Sequence, residues 1–138
     1  KPENIIYSRS THTCKLIDFE FAARYSDSAH FTTSCGTLEY SSPEVRSQYY
    51  IGPESDIWSL GVTFFVVIFG AFPFSREDLL LANENMVKFP SAIPNELAAL
   101  LLGMLRTNSQ IRYDINRVIS HPFFSKYHPV FFPSRNDQ

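Results

Sequence analysis

The sequence predicts a mainly α domain fronted by one short β-hairpin, with a long loop between the hairpin and the helices. Three observations carry this: two short β-prone runs near the start, a thirteen-residue apolar stretch from Ile57 to Phe69, and a later stretch whose apolar residues recur at helical spacing. The β-prone runs are residues 4–8 (Asn-Ile-Ile-Tyr-Ser) and 14–18 (Cys-Lys-Leu-Ile-Asp). The polar run Arg9-Ser10-Thr11-His12-Thr13 supplies the turn between them, with Asn4 beginning one strand and Asp18 ending the other. Residues 23–43 are rich in Ser and Thr and keep no sustained period. A loop of about 20 residues inside a compact domain is unusual, and functional loops are the common exception.

Ser55 or Asp56 is expected to cap the apolar helix, and Gly70 to end it at Phe69. Thirteen helical residues reach about 20 Å, short of a hydrocarbon core of about 30 Å, and Ser59, Gly61 and Thr63 interrupt the stretch, so it reads as a buried helix. Ser75-Arg76-Glu77-Asp78 opens a shorter helix through about Asn85, with acidic residues in its first turn. Between Pro94 and Leu105, Leu97, Leu100, Leu101, Met104 and Leu105 fall on one helical face. A last short helix covers Ile115 to Ser120 and stops before Pro122, and residues from Lys126 onward read as a tail.

At 138 residues the chain has room for one domain, or one lobe of a larger one. Apolar residues make up 44% and charged residues 19%, which excludes a disordered or fibrous chain. Twelve basic residues against fourteen acidic leave a net charge of −2, so neither nucleic acid nor an anionic membrane is implied as a charge-driven partner. Cys14 and Cys35 are too few and too far apart for a disulfide framework or a zinc site, and read as two reduced intracellular thiols. Lys1-Pro2-Glu3-Asn4 opens the chain without an initiator Met or a signal peptide, as if cut from something longer. An intracellular, cytoplasmic location is expected, with the nucleus as the alternative.

A hairpin of this kind brings the Asn4 amide and the Asp18 carboxylate together. Mg²⁺ favours a few such hard oxygen ligands alongside phosphate oxygens and water. Lys1, three residues before Asn4, adds a positive charge close by. A lysine, an amide and a carboxylate beside a long Ser/Thr loop suit holding a metal–phosphate group.

These residues also carry a family resemblance. Lys1-Pro2-Glu3-Asn4 resembles the second half of the protein-kinase catalytic loop, Asp18-Phe19-Glu20 the D-F-G motif, and Ser42-Pro43-Glu44 the A-P-E motif. Cys35-Gly36-Thr37-Leu38-Glu39-Tyr40 resembles the substrate-side end of the activation segment, and Ser55-Asp56-Ile57-Trp58-Ser59-Leu60-Gly61 the start of the central helix of the kinase C-lobe. Arg112 and His121-Pro122-Phe123-Phe124 resemble the marks that close that domain. The motifs follow the family's order over residues 1–125. The resemblance implies a C-lobe of the protein-kinase fold, a hairpin followed by an activation segment and a helical bundle, with residues 126–138 as a C-terminal tail.

The resemblance further implies a Ser/Thr kinase that uses ATP and Mg²⁺ on a protein substrate. Asn4 and Asp18 would hold magnesium against the phosphates, and Lys1 would stabilise charge on the transferred group. Thr37 would bond to Lys1 and to the catalytic Asp. Glu3 joins the ATP-binding set, and Ile6 and Ile17 would form an apolar floor under adenine. Glu44 would pair with Arg112, and Asp56 would anchor the catalytic loop from below. Lys1 and the Gly36-Thr37 pair resemble Ser/Thr rather than tyrosine kinases. Thr33 resembles the activating phosphosite of the calcium/calmodulin-dependent and AMP-activated-like group, with Thr32 and Ser34 as alternatives, so an upstream activating kinase is an implied partner.

Three departures accompany the match. The Gly-rich loop, the strand Lys, its Glu partner and the His-Arg-Asp are not in this sequence, and the catalytic Asp would lie two residues before Lys1, so the 138 residues alone are expected to be inactive. Glu20 stands where the family has Gly, which permits backbone angles that a residue with a Cβ resists. It opens the alternative of a pseudokinase acting as a scaffold or allosteric module. Val66 stands where many basophilic kinases carry Glu, leaving Glu39 as the only hint of a preference for Arg. Blander readings apply elsewhere: His12 and His30 as solvated loop residues, His121 as a backbone partner, and Phe64-Phe65 and Phe123-Phe124 as core. Phe131-Phe132 reads as incidental tail, and His128 carries no signal. Asp18 with Glu44 as a hydrolase carboxylate pair has little support, since 26 residues separate them and no sugar-stacking aromatics adjoin them.

Overall fold

The computed structural model describes residues 1–26, 30–81, 87–90 and 92–125. The opening hairpin forms where the β-prone runs predict it. Strand β1 (Ile5–Ser8) pairs antiparallel with β2 (Thr13–Leu16), with Ile5 opposite Leu16 and Ser8 opposite Thr13. Hydroxyls tie the turn together, Thr11 Oγ1 donating to Ser8 Oγ at 2.8 Å, and His12 supplies the left-handed residue of the reversal at φ 52°.

The strand limits differ from expectation. Asn4 closes a 3₁₀ turn (Pro2–Asn4) instead of beginning β1, and Asp18 lies past the end of β2. Pro2 lacks an N–H and carries a φ suited to a first helical turn, which draws residues 2–4 out of the strand. Asp18 enters the left-handed region at φ 64°, which ends the extended run. Pairing still continues one step beyond the strands, because Ile17 N–H donates to the Asn4 carbonyl at 3.0 Å.

The loop expected over residues 23–43 is largely irregular among its described residues, with a 3₁₀ turn at Leu38–Tyr40. One turn of helix, α1 (Pro43–Arg46), follows it, started by Pro43 and capped by Ser42 Oγ accepting from Val45 N–H at 3.4 Å. Helix α2 (Gly52–Phe69) begins three residues before the expected Ser55 cap. Pro53 falls in its first turn, where its missing N–H costs nothing, and Ser55 Oγ donates back to the Gly52 carbonyl at 2.9 Å inside the helix. Gly70 ends α2 at φ 66°, as a left-handed C-terminal residue.

Helix α3 (Arg76–Leu81) is started by a reciprocal cap, Asp78 N–H to Ser75 Oγ at 3.1 Å and Ser75 N–H to Asp78 Oδ2 at 3.2 Å. Its expected end near Asn85 lies outside the described residues, as do the tail, His128 and Phe131-Phe132. Helix α4 (Asn95–Met104) has Pro94 and Leu105 as its caps. Asp114 caps α5 (Ile115–Ile119), accepting from Arg117 N–H at 2.8 Å. Helix α5 stops before Pro122 as expected, and Pro122 starts a further turn, α6 (Pro122–Ser125), with His121 Nδ1 accepting from Phe123 N–H at 3.2 Å.

The core sits between α2 and α4. Trp58, Val62 and Phe65 of α2 pack with Leu101, Leu105, Phe74 and Leu79, while Ile57 meets Leu100, Met104 and Val118 on the adjoining side. Gly61 lets the two helices approach, since a Cβ there would stand 3.0 Å from Met104 Cβ. Phe65 is fully buried, and Phe64, Phe123 and Phe124 pack at the edge of this core. No helix among the described residues is long and apolar enough to cross a membrane. The hairpin stays outside the core, with every residue of β2 exposed.

Candidate active site

An open cavity of about 720 Å³ separates the hairpin from residues 31–41 and the start of α2, and Lys1, Asn4, Ile17, Asp18, Thr37 and Asp56 are on its walls. Lys1 Nζ donates to Thr37 Oγ1 at 3.2 Å, and Asn4 Nδ2 donates to Asp18 Oδ2 at 3.3 Å. Local structure accounts for both contacts. The 3₁₀ turn, closed by Asn4 N–H to the Lys1 carbonyl at 2.9 Å, curls Lys1 back beside Asn4. The hairpin register sets residue 4 opposite residue 17, and the positive φ of Asp18 turns its carboxylate to Asn4.

Thr37 is held from the other side. Gly36 adopts φ 92°, a region open to glycine, and sends the chain into the Leu38–Tyr40 turn, whose Tyr40 N–H donates to the Thr37 carbonyl at 3.0 Å. Ser59 Oγ reaches up from α2 to the Tyr40 carbonyl at 2.9 Å and fixes that turn to the core. Sequence reasoning gave Ser59 no role of its own. A serine inside an otherwise apolar helix was the available signal. Tyr50 was also missed: its Oη donates to the Thr33 carbonyl at 3.1 Å, and nothing in the sequence marked it.

The remaining expected residues divide. Ile17 lines the cavity, whereas Glu3 and Ile6 do not, and Ile6 stays 54% exposed on the hairpin. Thr33 is exposed in the loop. The Asp56 side chain has no hydrogen-bond or ion-pair partner among the described residues, and although the residue is exposed overall, partial burial of its carboxyl raises it above the usual range. Val66 packs against the core cluster, so its position serves packing. Glu39 meets Arg76 at 3.8 Å on the surface.

Glu20 lies exposed in a turn closed by Ala22 N–H to the Phe19 carbonyl at 3.0 Å. The backbone resistance expected there does not arise: Glu20 is outside the left-handed region, and the positive φ falls on Asp18. Among the described residues no three His, Cys, Asp or Glu side chains converge on a metal site. A cation in this cavity would therefore rest on the Asp18 carboxylate and the Asn4 amide oxygen, with phosphate and water completing its shell, which is the donor set that suits Mg²⁺.

Below the cavity, Arg112 makes a two-pronged contact with Glu44, Nη2 to Oε2 at 2.9 Å and Nη1 to Oε1. Arg112 also donates to the carbonyls of Arg106, Glu54 and Thr107, and its guanidinium sits 5.2 Å from the Trp58 ring centroid. Burial works to raise the Glu44 carboxyl, but the hydrogen bonds and charge of Arg112, with help from Ser42 and the Glu44 backbone, hold it below the usual glutamate range. Glu44 is absent from the cavity wall, so it and Asp18 do not form a carboxylate pair about one site.

Comparison with known proteins agrees with the order of the motifs. The protein kinase domain model matches residues 1–124. The chain is 33% identical over 134 residues to a human SNF-related serine/threonine-protein kinase, covering 94% of this chain and 18% of that protein. It is 32% identical over 131 residues to the Schizosaccharomyces pombe serine/threonine-protein kinase ppk25, covering 91% and 31% respectively. It is also 32% identical over 135 residues to an Arabidopsis thaliana SNF1-related protein kinase catalytic subunit, covering 95% and 27%. The chain thus spans less than a third of the length of each of these relatives. A match over nearly all of its residues makes the chain a member of the protein kinase domain family.

Proposed function

We propose that these 138 residues are the C-lobe part of a serine/threonine protein kinase, residues 1–125 belonging to the kinase domain and 126–138 forming a tail. The protein transfers the γ-phosphate of ATP to Ser or Thr of a protein substrate. The observation that carries this reading is the pairing of Lys1 with Thr37 and of Asn4 with Asp18 on one cavity. Mg²⁺, when bound, neutralises phosphate charge. Asp18 and Asn4 supply its protein oxygens, and Lys1 sets a positive charge where the transferred group gains negative charge. Thr37, bonded to Lys1, orients the acceptor hydroxyl. Ile17 gives an apolar surface for adenine, whereas Glu3 and Ile6, away from the cavity wall, take no part in holding the nucleotide.

Asp56, on the cavity wall, anchors the backbone of the catalytic loop from below. Thr33, exposed in the loop, is the site an upstream kinase modifies. The pseudokinase reading has one feature in its favour, the acidic Glu20 beside the metal-binding Asp18. Its ordinary backbone angle and exposed placement favour an active enzyme instead.

The test uses the full-length protein: an ATP thermal-shift titration with and without Mg²⁺, then a phosphate-transfer assay. Asp18→Asn is expected to abolish the Mg²⁺-dependent shift and to lower transfer at least a hundredfold, on the order of what removing one transition-state charge stabiliser costs. Transfer that survives Asp18→Asn overturns the assigned role. An inert wild type that still binds ATP selects the scaffold reading.

A further inference from the structure

The segment leading into Gly36-Thr37 meets the residues just before and at the start of α2, with Tyr50 making most of its hydrogen bonds there. Phe31 and Tyr50 form a two-way backbone bridge, Phe31 N–H to the Tyr50 carbonyl at 2.9 Å and Tyr50 N–H to the Phe31 carbonyl at 3.2 Å. Their rings lie 5.5 Å apart, and the Phe31 ring closes over Gly52, where a Cβ would stand 3.3 Å from it. Beyond this bridge the Tyr50 hydroxyl donates to the Thr33 carbonyl at 3.1 Å. Burial, then the charge of and a hydrogen bond with Cys35 and the charge of Asp56, raise the Tyr50 phenol above its usual value. Tyr50 immediately precedes Ile51 and α2, whose Ser59 fixes Tyr40 at the far end of the same segment. Residues 31–40 are therefore moored to α2 at both ends, with Thr37 between the moorings.

We infer that Tyr50 is a positioning residue for the acceptor side of the site: its hydroxyl, through the Thr33 carbonyl, holds the segment that presents Thr37 to Lys1. The inference rests on the kinase reading, because Thr37 matters to an acceptor only if phosphate is transferred. Tyr50→Phe is the discriminating change. It keeps the ring against Phe31 and the backbone bridge, and it removes only the hydroxyl.

In the full-length protein, Tyr50→Phe is expected to raise KM for a Ser-containing acceptor peptide by about 2- to 12-fold, the range set by one hydrogen bond. KM for ATP and the thermal midpoint are expected to stay at wild-type values. Amide exchange across residues 31–36 should quicken in the same variant while α2 and α4 keep their protection. An unchanged peptide KM overturns the positioning role. So does an equal rise in both KM values with a lowered midpoint, which marks a general structural effect. A wild type without transfer activity refutes the kinase reading, and the exchange measurement then decides the mooring alone: unchanged exchange at 31–36 overturns it.

Discussion

Replacing Glu44 by Ala removes the one charged partner that Arg112, a buried guanidinium, has among the described residues. The Arg112 side chain is 0% exposed and that of Glu44 13%. In the variant, Arg112 keeps its bonds to the carbonyls of Arg106, Glu54 and Thr107, so hydrogen bonding is partly preserved. What is lost is charge compensation in a site closed to water. Breaking a buried pair in this way costs roughly 3–5 kcal/mol, and the three remaining carbonyls put the expectation at about 3. In urea, with a slope of about 1–3 kcal/mol per molar, that lowers the midpoint of the cooperative transition containing this region by about 1–3 M.

The double change Glu44→Leu with Arg112→Met should recover most of the loss, because neither charge then remains in the core. The pH dependence has a definite sign. The folded carboxyl of Glu44 is held below its ordinary value of 4.5, so the pair's contribution is fully present above that pH. It fades as the pH falls through the lower folded value, and the gap between wild type and Glu44→Gln should narrow there. A midpoint shift of Glu44→Ala below about 0.3 M, with an unchanged slope, would refute the reasoning.

Two further outcomes are expected. Gly103→Ala sets a Cβ into the Tyr113 ring, so the ring must leave its place on α4; a loss of about 1–3 kcal/mol, read by denaturant unfolding, is expected, and wild-type stability counts against the packing described. Asp114→Ala removes the α5 cap and should cost about 1 kcal/mol, with Asp114→Asn retaining most of it; equal losses in both variants would point away from capping.

The family and the order of its parts were legible in the residues themselves. Contiguous motifs such as Lys1-Pro2-Glu3-Asn4 and Ser42-Pro43-Glu44 carry their identity locally, and helix α4 follows from a periodic apolar face that needs no knowledge of its neighbour. The hairpin was equally plain, since β-prone runs and a polar turn are short-range features. Helix starts were less so: Pro53 overrode the stronger-looking Ser55 cap, because a proline in a first turn fixes the backbone before any side-chain cap is needed.

Only the tertiary structure decided which of these residues meet. No spacing in the chain reveals that Ser59 and Tyr50 hold the two ends of the segment around Thr37, since each bond joins atoms brought together by packing of α2. The same holds for Glu20, whose consequence depends on a backbone angle that the fold assigned to Asp18. Local preferences write elements and motifs into the sequence. Long-range contacts are set by how those elements bury their apolar faces, and that choice exists only once the chain is folded.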